Sequence, residues 1–169
     1  MSPIKIVNYR PAYQPYFEAF NRAWIEKDFW LEELDKYVLG NPEEAILKDG
    51  GAILMGLYKD EVAGTVALKK VNNECYELTK MAVSENFRRL GIAEALCHAA
   101  INKASLLGAE KVILYSQTQL QPAILLYKKI GFEEVPLEPG TYLRANIKME
   151  LQLNKYGIKS VKEIANQIN

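Results

Sequence analysis

The spacing of apolar residues changes several times along the chain, and each change marks a predicted element. "IKIVNY" (4–9) reads as a short strand. In "AYQPYFEAFNRAWIEKDF", Tyr16, Phe17, Phe20 and Trp24 recur at helical spacing, which predicts an amphipathic helix. A second, short helix is predicted in "WLEELDKYVL", ending before Gly40. "NPEEAILKDGG" offers Asn41 as an N-cap, Pro42 at the first helical position and a Gly-Gly stop. The texture then changes: "GAILMGLYKDEVAGTVALKKVNNECYELTKMAV" holds three strand-like runs, separated by "KDE" and "NNE" as tight hairpin turns. "LGIAEALCHAAINKASLLGA" predicts a long helix with Gly108 at its C-terminal end. "KVILYSQ" is a compact strand and "QPAILLYKKIGF" a short helix stopped at Gly131. "FEEVPL" and "ANIKMELQL" complete the strands, the second alternating Ile147, Met149, Leu151 and Leu153.

This order predicts an α+β (mixed α/β) domain: a central, mostly antiparallel, twisted sheet of about seven strands with helices on both faces. No repeat, low-complexity tract or linker interrupts residues 1–153, which are read as a single domain. In the C-terminal stretch 154–169, Ile158, Val161, Ile164, Ala165 and Ile168 fall on one helical face. That face could dock on its own domain or on a partner, and a weakly ordered tail fits equally.

Composition narrows the function classes. The chain has 169 residues, 49% hydrophobic and 25% charged, ordinary for one globular domain with a proper core. The formal net charge is zero, so no global field draws the protein to nucleic acid or to an anionic membrane. No apolar run approaches the roughly 20 residues of a membrane span, and "MSPIKIVNYR" has no apolar stretch behind a basic one, so no signal peptide is expected. With only Cys75 and Cys97, this points to a reducing cytoplasm and free thiols. No CxxC or HExxH occurs and His98 is the only histidine, so no metal site is expected. His98 falls inside a helical pattern, which suits a surface or packed residue better than a hydrolase base.

One stretch asks for an explanation. In "FRRLGIA", Arg88 and Arg89 stand just before a glycine and the long helix. A cation at a helix N-terminus costs a few tenths to about 1 kcal/mol. Either these are basic residues in a solvated loop, or the site expects an anion. Gly91 and the first helix amides, which have no partner within the helix, would form the cradle for it. The stretch is neither a P-loop nor a GxGxxG turn, and its strand belongs to hairpins, which argues against a dinucleotide fold.

"RRLGIA" resembles the R/Q-x-x-G-x-G/A signature of the GNAT superfamily of acyl-CoA-dependent N-acetyltransferases, and "AILLYKKIGF" is similar to its second motif, A-x-x-L-Y-x-x-x-G-F. The element order fits from residue 4 to about 153, and the pattern looks like that of a stand-alone bacterial member. The resemblance implies transfer of an acetyl group from acetyl-CoA to a primary amine by direct attack in a ternary complex, without metal. It implies that the pyrophosphate of coenzyme A lies on the backbone of Arg88, Arg89, Leu90, Gly91, Ile92 and Ala93, the last replacing a glycine. It implies that the pantetheine arm pairs with the backbone of Met81, Ala82 and Val83, and that "KVILYSQ" splays away to open a cleft. Ser116 or Gln117 stands in for an asparagine that many relatives use on the cofactor.

Aminolysis needs a neutral amine held near the carbonyl and a thiolate that leaves as a thiol. Glu77 lies where some relatives place a general base; a polar strand residue facing solvent or a lysine is the other reading. It alternates with Thr79 and Met81, which puts the three on one face. Tyr127 occupies the family's general-acid position, and a phenol is well matched to a leaving thiolate; a tyrosine packing its helix on the sheet is the alternative. By the same resemblance, the acceptor site involves "FWLEELD" and "EPGTYLRA". There Glu32, Glu33 and Asp35 could draw a cationic amine, with Phe29, Trp30 and Tyr142 as an apolar wall. A solvated acidic helix face fits the same residues, and Arg144 could instead meet a carboxylate. A non-catalytic acyl-CoA-binding module acting through a protein partner is the competing functional reading, and homodimers are common for this fold.

Overall fold

The alternation of short period-2 runs with amphipathic stretches folds, in the computed structural model, into seven strands and four α-helices among the described residues, 2–140 and 142–153. In chain order these are β1 (Ile4–Asn8), α1 (Gln14–Asp28), α2 (Glu33–Gly40), β2 (Ala52–Tyr58), β3 (Glu61–Lys70), β4 (Cys75–Val83), α3 (Ile92–Leu106), β5 (Lys111–Ser116), α4 (Gln121–Ile130), β6 (Glu133–Val135) and β7 (Ile147–Gln152). The strand order in the sheet is β1-β2-β3-β4-β5-β7-β6. This is the mixed, mostly antiparallel α/β fold that the pattern predicts. The helical face expected over 154–169 lies outside the described residues. No helix among the described residues is long and apolar enough to cross a membrane. The chain divides into two units: one holds residues up to Lys70 and Leu78–Ala100, the other Val71–Glu77 and residues from Ile101 onward.

In the first unit, β2 lies between β1 and β3 and pairs antiparallel with both. The β2–β3 turn is Lys59-Asp60, both at positive φ (48° and 70°), as a two-residue hairpin with matching twist requires. Ile53 and Met55 of β2 pack with Phe17 of α1, Val38 and Leu39 of α2, Ile46 and Ala67 in a buried cluster. The buried stripe of α1 is Phe17, Asn21 and Ile25, one position round from the aromatic stripe that the spacing suggests; Tyr16 is 45% exposed. Asn21 is tolerated there because its amide donates to the Phe17 carbonyl (2.9 Å) and its oxygen accepts the Trp24 indole N–H (3.0 Å). At the predicted N-cap Asn41 the backbone carbonyl accepts the Ala45 N–H at 2.9 Å, but the side chain makes no cap bond. Glu43–Leu47 is a single π-helical turn with Pro42 as its N-cap, and the Asn41 amide donates back to the Tyr37 carbonyl at 3.1 Å. Asn41 therefore ends α2 and, through its carbonyl, also opens the next turn.

The opposite face of β2 and β3 is shaped by absent side chains. A Cβ at Gly56 would lie 3.1 Å from Ile92, and one at Gly64 would lie 3.0 Å from the Ala82 carbonyl oxygen and 3.1 Å from Leu96. Both glycines let the first turns of α3 sit close against the strands. This contact fixes where the N-terminus of α3 points.

In the second unit, β5 pairs antiparallel with β7, which pairs antiparallel with β6. The start of β4 joins β5 in parallel through Cys75–Lys111, Tyr76–Val112 and Glu77–Ile113. Val112, Leu114, Ile124, Phe132, Ile147, Met149 and Leu151 are buried, the alternation read in the last strand. Gly108 and Gly131, at φ 92° and 123°, end α3 and α4 as expected.

The glycine packing makes a direct prediction. Gly64→Ala should lower unfolding stability by about 1–3 kcal/mol, because its Cβ meets a backbone carbonyl that cannot move aside cheaply. Gly40→Ala, with nothing within 4 Å of the new atom, should be neutral within about 0.5 kcal/mol in the same urea titration.

Candidate active site

The loop that follows β4 forms a backbone cradle. Glu85–Phe87 makes one 3-10 turn, Arg88 is extended, Arg89 and Gly91 adopt φ +64° and +85°, and α3 starts at Ile92. Positive φ at these two positions around Leu90 marks a tight turn of the kind that forms anion-binding nests. The Gly91 carbonyl accepts the first helical bond, from Ala95 (3.1 Å). The N–H groups of Ile92, Ala93 and Glu94 therefore have no acceptor within the helix. A Cβ at Gly91 would have only Ile4, at 3.9 Å, within reach, so the approach to this backbone is open. Arg88 and Arg89 are exposed, Arg88 lying 3.8 Å from Glu85. The helix does begin beside two arginines, so their charge is uncompensated by helix position and suits an anionic guest. Donors of this kind and two guanidinium groups fit a diphosphate.

Upstream, Met81 and Val83 are half-buried and Ala82 is buried. The Met81 sulfur lies 3.4 Å from Cys97 Sγ of α3, and the Ser84 N–H donates to the Ala63 carbonyl (2.8 Å). The regular alternation assumed for Glu77, Thr79 and Met81 is interrupted by Lys80, whose φ is +52°. Lys80 is buried, its ammonium 2.6 Å from Asp35 Oδ1.

The Lys80 pair changes the reading of the acidic stretch in the first unit. Asp35 is not an open carboxylate for an amine: it is 1% exposed, pairs with Lys80 and accepts the Glu32 N–H on Oδ2 (3.0 Å) as half of a capping box for α2. Glu33 is exposed and pairs with Lys36 at 3.0 Å. Phe29 ends α1 and stands edge-on to Trp24, while Trp30 is 59% exposed.

In the second unit Glu77 is only 5% exposed, which rules out the solvent-facing alternative. Its Oε2 accepts the Tyr142 hydroxyl at 2.8 Å, so the structure brings these two candidates together. The Tyr142 ring meets Tyr115 edge-on, centroids 5.4 Å apart. The Lys148 ammonium bonds Glu138 at 2.5 Å and lies 5.7 Å from the Tyr115 ring. That hydrogen bond, foremost, holds the Glu138 carboxyl below the usual range and pushes Lys148 above its own. Tyr127 lies on α4, buried, edge-on to Phe132 at 5.8 Å. The Asn146 N–H donates to the Ser116 carbonyl (3.0 Å), and the Gln117 side chain donates to the Arg144 carbonyl (3.4 Å) while its oxygen accepts from Thr118 and Gln119. Sequence reasoning missed Asn146, which exchanges two bonds with Thr118 (2.9 and 3.0 Å) and fixes the start of β7. It also missed Glu138 and Lys148, which carry no motif.

Neither thiol is poised for chemistry. Burial pushes Cys97 up to about 12, reinforced by Glu94, and raises Cys75 as well. His98 sits on the outer side of α3, 3.7 Å from Glu94. Among the described residues no three His, Cys, Asp or Glu side chains are grouped to hold a metal ion.

Residues 9–132 match the Acetyltransferase (GNAT) family, and the chain belongs to that family. It is 28% identical over 116 residues to YvbK, an uncharacterized N-acetyltransferase of Bacillus subtilis; the match covers 67% of this chain and 75% of that protein. An acetyltransferase of the GNAT family from Staphylococcus aureus superposes with a TM-score of 0.79 at 22% identity, over 89% of this chain and 99% of the other. The yncA protein of Salmonella typhimurium, solved with its cofactor acetyl-CoA, superposes with a TM-score of 0.73 at 16% identity, over 95% and 99% of the two chains.

The buried thiols predict chemical silence. Iodoacetamide at pH 8 should label neither Cys75 nor Cys97 in the native protein and both in urea. Native labelling of Cys97, read by mass spectrometry, would contradict its closed setting.

Proposed function

We propose that the protein transfers an acetyl group from acetyl-CoA to a primary amine by direct attack in a ternary complex. The observation that carries this is the cradle before α3: a left-handed pair at Arg89 and Gly91, an open helix N-terminus and two exposed arginines, in a chain of the GNAT family. In this reading the amides and side chains from Arg88 to Ala93 hold the pyrophosphate of coenzyme A. The backbone of Met81, Ala82 and Val83 pairs with its pantetheine arm. Ser116 and Gln117 act on the cofactor mainly through the segment they anchor, since the Gln117 side chain is engaged there. Residues 1–153 act as one catalytic domain, and two free thiols suit a reducing cytoplasm.

Glu77 takes the proton from the amine, directly or through water, as its nitrogen bonds to the acetyl carbon. Tyr127 gives its hydroxyl proton to the departing sulfur as the C–S bond breaks. Return of a proton from Glu77 to Tyr127 through solvent restores both groups and leaves an amide and a free thiol. Phe29, Trp30, Glu33 and Tyr142 remain the proposed acceptor contacts. The amine is a small molecule or a peptide α-amine. A non-catalytic acyl-CoA-binding module remains the reading to beat, and no particular observation favours it.

Calorimetric titration with acetyl-CoA tests the cradle. Micromolar binding is expected for the wild-type protein and its loss for Arg88→Glu/Gly91→Glu, since two anionic groups then face the phosphates. Turnover is then assayed with spermidine, a Ser-Ala-Ala tripeptide and an amino-acid methyl ester as acceptors. Tyr127→Phe should reduce kcat by about 100-fold and leave acetyl-CoA affinity unchanged. Unchanged turnover would remove the general-acid assignment, and binding without acetylation of any amine would favour the module.

A further inference from the structure

The proposed reaction uses Glu77 but leaves unexplained why a carboxylate 5% exposed is met by a phenol from the segment joining β6 to β7. A carboxylate taken out of water is costly unless donors replace the lost hydration. Tyr142 supplies one, an O–H pointed at Glu77 Oε2 at 2.8 Å. Its aim is set by neighbours. The ring lies edge-on to Tyr115, 5.4 Å away at 63°. The Tyr115 hydroxyl reaches Glu138 Oε2 at 3.4 Å, and Lys148 of β7 bonds the other oxygen of Glu138. Beyond Tyr142 the segment is fixed again, by Gln117 at Arg144 and by Thr118 at Asn146.

We propose that Tyr142 is the positioning residue of the Glu77 carboxylate: its hydroxyl orients the carboxylate and donates to its ionised form, so that Glu77 accepts the amine proton from a fixed direction. The inference rests on Glu77 being the base. A donor to a carboxylate favours the charged form, and removing it favours the protonated form. Ionisable groups of this region include Tyr115 and Glu138, Cys75 on the same strand, Lys111 of β5, and Lys148 and Glu150 of β7, the last three acting with Glu77 on Cys75. Tyr127 stands on α4 of the same unit. All of these are unchanged by a substitution at 142.

The test compares Tyr142→Phe, which keeps the ring on Tyr115, with wild type and with Glu77→Gln. Carboxyl 13C NMR of glutamate-labelled protein follows Glu77 without any acceptor, and Glu77→Gln assigns its signal. Tyr142→Phe should move the Glu77 titration up by about one pH unit. It should move the acid limb of kcat/KM, measured with the best of the three amines above, by the same amount, with acetyl-CoA affinity unchanged. 3-Fluorotyrosine at position 142, a stronger donor, should move both in the opposite direction, and it changes packing too little to endanger folding. If Glu77→Gln abolishes the acid limb while neither change at 142 moves the titration or the limb, Tyr142 is only a wall and the inference is overturned, with Glu77 still the base. If Glu77→Gln keeps the acid limb, the base assignment fails and the inference falls with it.

Discussion

The buried ion pair between Asp35 and Lys80 constrains much of the first unit. Its side chains are 1% and 4% exposed, and the opposite charge 2.6 Å away makes each tolerable there. Removing one partner of such a pair costs about 3–5 kcal/mol. Asp35 also accepts the N–H that opens α2, so one carboxylate fixes both the start of a helix and a point in β4. That point is Lys80 itself, held at φ +52°, a conformation that costs a non-glycine residue on the order of 1–3 kcal/mol. The pair therefore ties the strand at the place where its regular pleat is interrupted. The residues that follow, Met81 to Val83, lead directly into the cradle.

The cradle has a second support of a different kind. Its amides are aimed by α3, and α3 is located by two missing side chains. Gly56 and Gly64 admit Ile92 and Leu96 at distances that any Cβ would contest. Shape complementarity places the helix, helix geometry leaves its first N–H groups without internal acceptors, and the left-handed turn at Arg89 and Gly91 adds the flanking amides. In the proposed reading, binding at this site is a property of backbone, so Ala93 can take part without a polar side chain.

Much of this is legible in the sequence, and the reason is locality. Strand and helix runs, the Lys59-Asp60 turn, the helix stops at Gly108 and Gly131 and the arginine–glycine loop are each encoded by neighbours in the chain. What stayed illegible depends on partners far apart. Asp35 and Lys80 are 45 positions apart, and each alone looks like a surface charge. Glu77 and Tyr142 are separated by 65. Asn21 hides the true stripe of α1, because a polar letter on an apolar face reads as a break until its two hydrogen bonds are seen. Asn41 is legible only in part: its carbonyl opens the next turn as an N-cap does, yet its side-chain amide turns back to the carbonyl of Tyr37.

The same distinction separates the residues that match the family's motifs from those around Glu77. The motif residues, Arg88 to Ala93 and the segment around Tyr127, are contiguous words in the chain. Of the residues that shape the surroundings of Glu77, Tyr142 and Glu138 come from the aperiodic segment before β7, and Tyr115 and Lys148 from the strands that hold it. There, hydrogen bonds and ring contacts do the work that periodic packing does elsewhere, through Lys148 to Glu138, Tyr115 to Tyr142 and Thr118 to Asn146. A segment held by a few side chains can change its sequence without disturbing the sheet beneath it. In the proposed reading, contacts to the amine can therefore change in this segment while the strands and the cradle stay as they are.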